Sequence, residues 1–192
     1  GEDRKLKFNI NAYPKFKDKI IYLVHDKNLD QLKKIEKNDD EGTKSFKFIY
    51  NAQLRENEQR NFLKNGLNKA AEEDLIFISD VDEIPNLEKI DFKKIKNKIL
   101  MFEQNIFYYK LNRFLPNFKW YGTKACKKKY LINPQWLRNI KSKKYSFLRI
   151  DTFFSKSRYI DKHYISDGGW HFSNLKSPKD IELKLRSYLH HR

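Results

Sequence analysis

Three carboxylates stand together in FISDVDEIP, residues 77–85, where Asp80, Asp82 and Glu83 follow an apolar run that reads as a buried strand. Like charges within about 4–6 Å raise one another's pKa unless a positive group shares the site. A hard divalent cation resolves that repulsion. Oxygen ligands suit Mg2+ or Mn2+, with one or two carboxylates from the protein and phosphate oxygens from a substrate. If the strand's extended geometry persists, Asp80 and Asp82 point to the same side and Val81 turns to the core. The plainer alternative is a loop that caps the next helix.

A second constellation is the turn DGGWHFS, residues 167–173. Its two glycines permit positive φ and close approach of backbone to a ligand, and Trp170 offers a flat face for a sugar or base. His171 is a candidate metal ligand or phosphate contact, although a histidine beside aromatics also serves as an ordinary structural residue. The third is LRENEQR, residues 54–60, in which Arg55 and Arg60 flank Glu56 and Glu58. Salt bridging along a helix surface accounts for it. The sharper reading turns one arginine inward, to pair with the acidic cluster or a diphosphate through its planar fork.

The elements that must position these groups follow from periodicity. KIIYLVH, residues 19–25, reads as a strand, and 26–45 as an exposed loop with a short helix. Residues 51–71 read as a helix whose buried stripe is Leu63, Leu67, Ala70 and Ala71. LIFIS then forms a strand covered on both faces, with the acidic cluster at its C-terminal end. Pro85-Asn86 closes a turn and 87–97 suits a short helix. Strands over 99–111 and 119–131, with Pro116-Asn117 as the turn between them, a short helix from Pro134 through Trp136 and Leu137, and a strand over 158–165 come next. Ser177, Pro178 and Asp180 start a last helix with Ile181, Leu185 and Leu189 on one face. The pattern is that of an α/β domain with a mixed sheet, in which ligands sit beyond the carboxyl ends of the strands, where Asp80 and Asp82 fall.

The chain has 192 residues and 39% hydrophobic content, enough for one domain with a sizeable core. Its 41 Lys+Arg against 25 Asp+Glu, a formal charge of +16, favour anionic partners; a Lys-rich composition from an AT-rich genome gives the same balance. One cysteine, Cys126, excludes an intramolecular disulfide framework and fits a reducing compartment. Cytoplasmic placement with peripheral membrane contact is the expectation, any anchor or leader lying outside this chain.

SDVDEIP, preceded by LRENEQRNFLKNGL and followed by GGWHFS and KLRSYLHH, resembles glycosyltransferase family 17 from about Phe46 to His191. That family includes the β-1,4-mannosyl-glycoprotein 4-β-N-acetylglucosaminyltransferases. The resemblance implies a GT-A-like nucleotide-sugar-binding domain over 1–192, with a mixed, mostly parallel sheet flanked by helices. It also implies an inverting mechanism, UDP-GlcNAc as donor, a glycan acceptor and Mn2+. Asp80 and Asp82 would be the Asp-x-Asp element holding the metal against the donor diphosphate, and His171 the late-chain histidine completing the metal site. Family members carry a further strand-helix unit before the point matching Gly1, so the chain is expected to lack that unit and part of its uridine pocket. The acceptor hydroxyl needs a carboxylate base, for which Asp167 and Glu103 are the candidates.

Two other classes compete. Tyr108-Tyr109 and the Lys127–Lys129 run suit a basic nucleic-acid-binding module with aromatic stacking, which leaves the acidic cluster unexplained. Clustered carboxylates also serve two-metal nucleases and phosphatases, although those draw ligands from more elements than this sequence offers.

Overall fold

The computed structural model describes residues 8–187 apart from 28, 89, 147–151, 153 and 160. Two short 3-10 turns, Ile10–Ala12 and Pro14–Lys19, precede a 22-residue helix, α1 (Glu41–Phe62). Asp40 caps it by accepting the Thr43 N–H at 2.8 Å, which starts the helix ten residues before the expected point. The expected apolar stripe is not on α1. Its one buried residue is Asn51, whose amide bonds both the N–H and the C=O of Lys33, at 2.7 Å each, and ties the preceding loop to the helix. Leu67 and Ala70 do reach the core, from the 3-10 turn Leu63–Leu67 and the bend after it.

Among the described residues eight strands follow: β1 (Leu75–Ile78), β2 (Glu83–Pro85), β3 (Ile99–Phe102), β4 (Gln104–Tyr108), β5 (Phe114–Trp120), β6 (Lys124–Lys127), β7 (Lys162–Ile165) and β8 (Gly169–Ser173). They form two four-stranded sheets, ordered β1-β6-β3-β7 and β2-β8-β4-β5. Each has one parallel pair, β3 with β7 and β4 with β8, and two antiparallel pairs. The fold is therefore mixed α/β with helices flanking the sheets, as expected, but there are two sheets rather than one and antiparallel pairing dominates. The two long runs read as single strands each break at the seam. Residues 99–111 pass from β3 to β4 through Glu103 alone, and β5 becomes β6 across 121–123.

Three strand pairs thus run through both sheets in the same lateral order, β5/β6, β4/β3 and β8/β7. The fourth does not. β1 lies on the β6 edge of its sheet, whereas β2 lies on the β8 edge of the other. The chain between Ile78 and Glu83 must traverse the seam, and Asp80-Val81-Asp82 is that traverse. It is closed by a turn in which the Glu83 N–H donates to the Asp80 carbonyl at 3.0 Å. This overturns the expectation for Val81, which is fully exposed at the tip of the turn instead of facing the core.

Other departures have local causes. Residues 19–25 form no strand: none of the eight strands pairs with them, Ile21, Tyr22 and Val24 are exposed, and His25 packs edge-on against Phe62 of α1 at 4.8 Å. Residues 87–97 make turns that send Ile90, Phe92 and Ile95 against the core. The hairpin turn falls at 109–112, where Tyr109 adopts φ 64°; Pro116 and Asn117 lie inside β5, as a bulge between the pairs Asn105↔Lys119 and Ile106↔Leu115. The strand expected over 158–165 is confined to β7.

β1 is covered on both faces, Ile76 and Ile78 entering one cluster while Leu75 and Phe77 pack against the other. A short helix, α2 (Pro134–Asn139), is capped by Asn133 and buries Trp136 and Leu137. In α3 (Pro178–Ser187) the Asp180 N–H donates to Ser177 Oγ at 3.2 Å and the Ser177 hydroxyl donates to the Asp180 carboxylate at 2.7 Å. The side chains at 185 and 189 expected on its face lie outside what the structure describes. Among the described residues, no helix is long and apolar enough to cross a membrane.

Gly169 stands in register with Pro85 where β8 meets β2. Its φ is +123°, and an added Cβ would lie 2.1 Å from the Ile84 carbonyl oxygen. Gly169→Ala is expected to destabilise the protein by about 2–4 kcal/mol, strain and backbone clash together, read as a lowered urea midpoint with unchanged slope.

Candidate active site

The acidic turn closes over a buried ion-pair network. Glu83 begins β2 opposite His171 of β8, so the two side chains share a sheet face. The Glu83 carboxylate is completely shielded from solvent and accepts four hydrogen bonds: 2.7 and 3.0 Å from the Arg138 guanidinium, 2.6 Å from the Trp120 indole, and 3.0 Å from the Asp80 N–H. Burial alone would raise its pKa. The Arg138 hydrogen bonds and charge, with Trp120 and the Asp80 amide, outweigh that and hold it below the usual 4.5.

Arg138, in the last turn of α2, also donates to Asp80 Oδ2 at 2.7 Å, and Arg60 reaches Asp80 Oδ1 from α1 at 3.3 Å. Arg60 in turn bonds Glu56 at 2.9 Å and the Gln135 side chain. Both carboxylate oxygens of Asp80 thus face guanidinium groups. Arg60 is the arginine that turns inward. Arg55 is exposed and lines a separate cleft of about 510 Å3 between α1 and residues 22–32.

Asp82 takes no part in that clamp. Its backbone carbonyl accepts the Phe172 N–H at 2.8 Å, and its carboxylate, about one-third exposed, faces His171 Nε2 at 3.8 Å. The other ring nitrogen, Nδ1, is buried without a hydrogen-bond partner, 3.9 Å from Glu83 Oε1. The ring is steadied instead by the Trp120 indole, edge to face at 4.9 Å. The 3.8 Å separation would let one divalent cation reach both Asp82 and His171. No group of three or more His, Cys, Asp or Glu side chains able to hold a metal occurs among the described residues. Asp82 and His171 would be the protein ligands of a cation held here.

Trp170 stands on the opposite face of the sheet from His171, in register with Ile84, Asn105 and, through Asn105, Lys119. It does not share the side of Asp82's histidine. Glu103, at the β3–β4 junction, accepts the Tyr121 hydroxyl at 3.1 Å and lies 3.9 Å from Lys119 Nζ; burial, then this hydrogen bond, push the Tyr121 pKa up to about 12, so the phenol stays a donor. Asp167 is exposed with φ 51°. Cys126 is buried, and burial pushes its thiol up to about 12, which makes it the ordinary thiol expected.

The model for glycosyltransferase family 17 matches residues 5–192. The chain belongs to glycosyltransferase family 17. No curated protein and no solved structure matches it. As a member of family 17 it is a glycosyltransferase, an enzyme that takes a sugar from a donor to a glycan acceptor. Neither competing class is favoured. The Lys127–Lys129 run that suggested nucleic-acid binding is engaged within the molecule, Lys127 and Lys129 with Glu73 and Lys128 with Glu72, and these hydrogen bonds lower the Glu73 pKa to about 2.

Arg138, Trp120 and Gly122 were not singled out from the sequence. Gly122 makes the pocket for the Glu83 carboxylate, since a Cβ there would lie 1.7 Å from Glu83 Oε1 and 2.1 Å from Trp120 Nε1. The one available signal was Asn133-Pro134, which starts a helix one turn before Arg138.

Removing the guanidinium leaves Glu83 charged, buried and unpaired. Arg138→Met is expected to lose about 3–5 kcal/mol at pH 7. Because the folded pKa of Glu83 is depressed, its contribution is present above the usual 4.5 and is lost as pH falls through the folded value. Glu83→Gln should therefore lower stability at pH 7 and flatten the acid limb of a pH-dependent urea series.

Proposed function

We propose that this family 17 glycosyltransferase transfers GlcNAc from UDP-GlcNAc, with inversion, to a hydroxyl of a glycan acceptor, using Mn2+ or Mg2+ held by Asp82 and His171. The observation that carries the reading is the pairing of Asp82 with His171 Nε2 at 3.8 Å, on a turn at the carboxyl end of a buried strand. A GT-A-like arrangement of the nucleotide-sugar site belongs to the same proposal and is supported by that placement.

When bound, the cation supplies charge neutralisation for the departing diphosphate. The protein's part is preorganisation. Arg138 and Arg60 fix Asp80 and so the path of the turn. The Phe172 N–H fixes the backbone of Asp82, and Trp120 holds the imidazole plane. Glu103 is the base in this reading. Its side chain is partly buried beside Tyr121 and Lys119, with the tyrosine bonded to one oxygen, whereas Asp167 stands in open solvent. Glu103 accepts the acceptor's hydroxyl proton as that oxygen attacks the anomeric carbon and UDP leaves from the opposite face.

A thermal-shift series of UDP-GlcNAc and GDP-mannose, each with and without Mn2+, tests the reading. Stabilisation that requires UDP-GlcNAc and Mn2+ together is expected. Asp82→Ala and His171→Ala should each abolish it and reduce transfer by about 100-fold or more. Mn2+-dependent binding unchanged in both variants would remove these ligands from the mechanism.

A further inference from the structure

Beside the Arg138–Glu83 clamp lies a cleft of about 410 Å3 whose lining includes neither Asp82 nor His171. One wall is the end of β5 from Phe118 to Gly122, and the other is the stretch from Arg138 to Ser142 that closes α2, with Lys124 also lining it. Three features of this lining point the same way. Phe118, Trp120 and Tyr121 supply aromatic surface; Asn139 and Ser142 supply neutral polar groups; and every charged side chain that lines it, Lys119, Lys124, Arg138 and Lys141, is cationic.

The cations differ in what already engages them. Arg138 is spent on Glu83 and Asp80, and the Lys124 ammonium donates to the carbonyls of Arg138 and Ile140, which draws the far wall onto β6. Lys119 bonds Asn105 at 2.7 Å and has Glu103 at 3.9 Å. Lys141 is exposed and its charge meets no carboxylate of the lining. The charged lining sets up a positive field, carried by Lys119 and Lys141; Lys124 is pushed down to about 7 by burial first and then by the charge of Arg138, with Lys141 and Lys162 adding to it and Glu83 opposing. A neutral sugar leaves that field uncompensated, whereas a sugar carrying a phosphate or carboxylate neutralises it while its apolar face rests on the aromatic wall.

We propose that this cleft binds the acceptor, and that the acceptor is an anionic saccharide whose charged group is met by Lys141 and Lys119. The proposal rests on the transferase reading above and adds the acceptor's chemical class. Trp120 links the two sites, touching His171 on one side and lining the cleft on the other, and Tyr121 of the same wall holds Glu103. The same wall therefore touches His171 through Trp120 and Glu103 through Tyr121.

Calorimetric titrations of the full chain with mannose 6-phosphate, glucuronic acid, methyl mannoside and inorganic phosphate test this. At least one of the two charged sugars is expected to bind about tenfold or more tighter than methyl mannoside, with affinity falling as salt rises. The preference between them distinguishes phosphate from carboxylate. Lys141→Glu should abolish the charged sugar's advantage and Lys141→Arg should keep it, both leaving UDP binding with Mn2+ unchanged. Equal affinity for charged and neutral sugars, no binding of either charged sugar, or inorganic phosphate binding as tightly as the sugars would overturn the proposal. So would a Lys141→Glu variant that loses UDP and Mn2+ binding, because the cleft would then belong to the donor diphosphate. Loss of the donor reading shows separately, as Mn2+-dependent UDP binding that survives Asp82→Ala.

Discussion

The Glu83 carboxylate has no access to solvent, and four donors converge on it from α2, β5 and the acidic turn itself. A buried carboxylate is costly unless such donors are in place, and Arg138 supplies the only countercharge hydrogen-bonded to it among the described residues. Because Arg138 also grips Asp80, one guanidinium fixes both ends of the turn. The position of Asp82 between them follows from that clamp. Its own contacts are a single backbone hydrogen bond to β8 and the facing histidine, which leaves its carboxylate the one member of the cluster free of a guanidinium partner.

The need for such a clamp comes from topology. Three strand pairs continue through both sheets in one lateral order, while β1 and β2 occupy opposite edges, so residues 79–82 leave one ladder before entering the next. The backbone groups of the traverse must find partners outside a sheet. The Asp80 carbonyl takes the Glu83 N–H, the Asp80 N–H goes to the Glu83 side chain, the Glu83 carbonyl takes the Ser79 hydroxyl, and the Asp82 carbonyl takes Phe172. The same seam explains the glycines. Gly122 leaves room for the Glu83 carboxylate, and Gly168 and Gly169 let β8 approach Glu103 and β2 where any side chain would collide with backbone. The glycines of DGGWH serve strand packing at least as much as ligand approach.

This division between local and non-local constraint decides what the sequence disclosed. LIFIS as a strand covered on both faces, the helix opened by Pro134 and the Ser177 cap all depend on spacing within a few residues, and each is present. The breaks at Glu103 and at 121–123 are invisible to periodicity, because an apolar run reads the same whether it stays in one sheet or enters a second. The strand expected at 19–25 has the composition of a strand but no neighbouring ladder to complete. Val81 was placed in the core by extending strand alternation three residues past the strand's end at Ile78. Arg138 was missed because its partners are 55 and 58 residues away, and Trp170 and His171, adjacent in sequence, were read as one site although alternation within β8 sends them to opposite faces.

The formal charge of +16 also takes on meaning only when sorted by partner. Lys127, Lys128 and Lys129 are matched by Glu72 and Glu73, Arg60 and Arg138 by Glu56, Asp80 and Glu83, and the buried Lys124 and Lys162 donate to main-chain carbonyls that draw residues 138–143 against the sheets. Burial lowers Lys162 to about 8, just as it lowers Lys124. These lysines therefore act as hydrogen-bond braces for the α2 wall more than as charges offered to a ligand. The Lys127–Lys129 run, matched by Glu72 and Glu73, gives no warrant for a polyanion-binding surface. Of the cations lining the cleft beside the braced wall, Lys124 aside, Lys141 is the one whose charge meets no carboxylate among the described residues, while the carboxylate of the acidic turn without a guanidinium partner points at a histidine one tryptophan away. Under the proposed reading, the ring of Trp120, which touches His171 and lines the cleft, would hold the two sites apart, so that a metal-bound donor and a charged acceptor could come together without either neutralising the other's site.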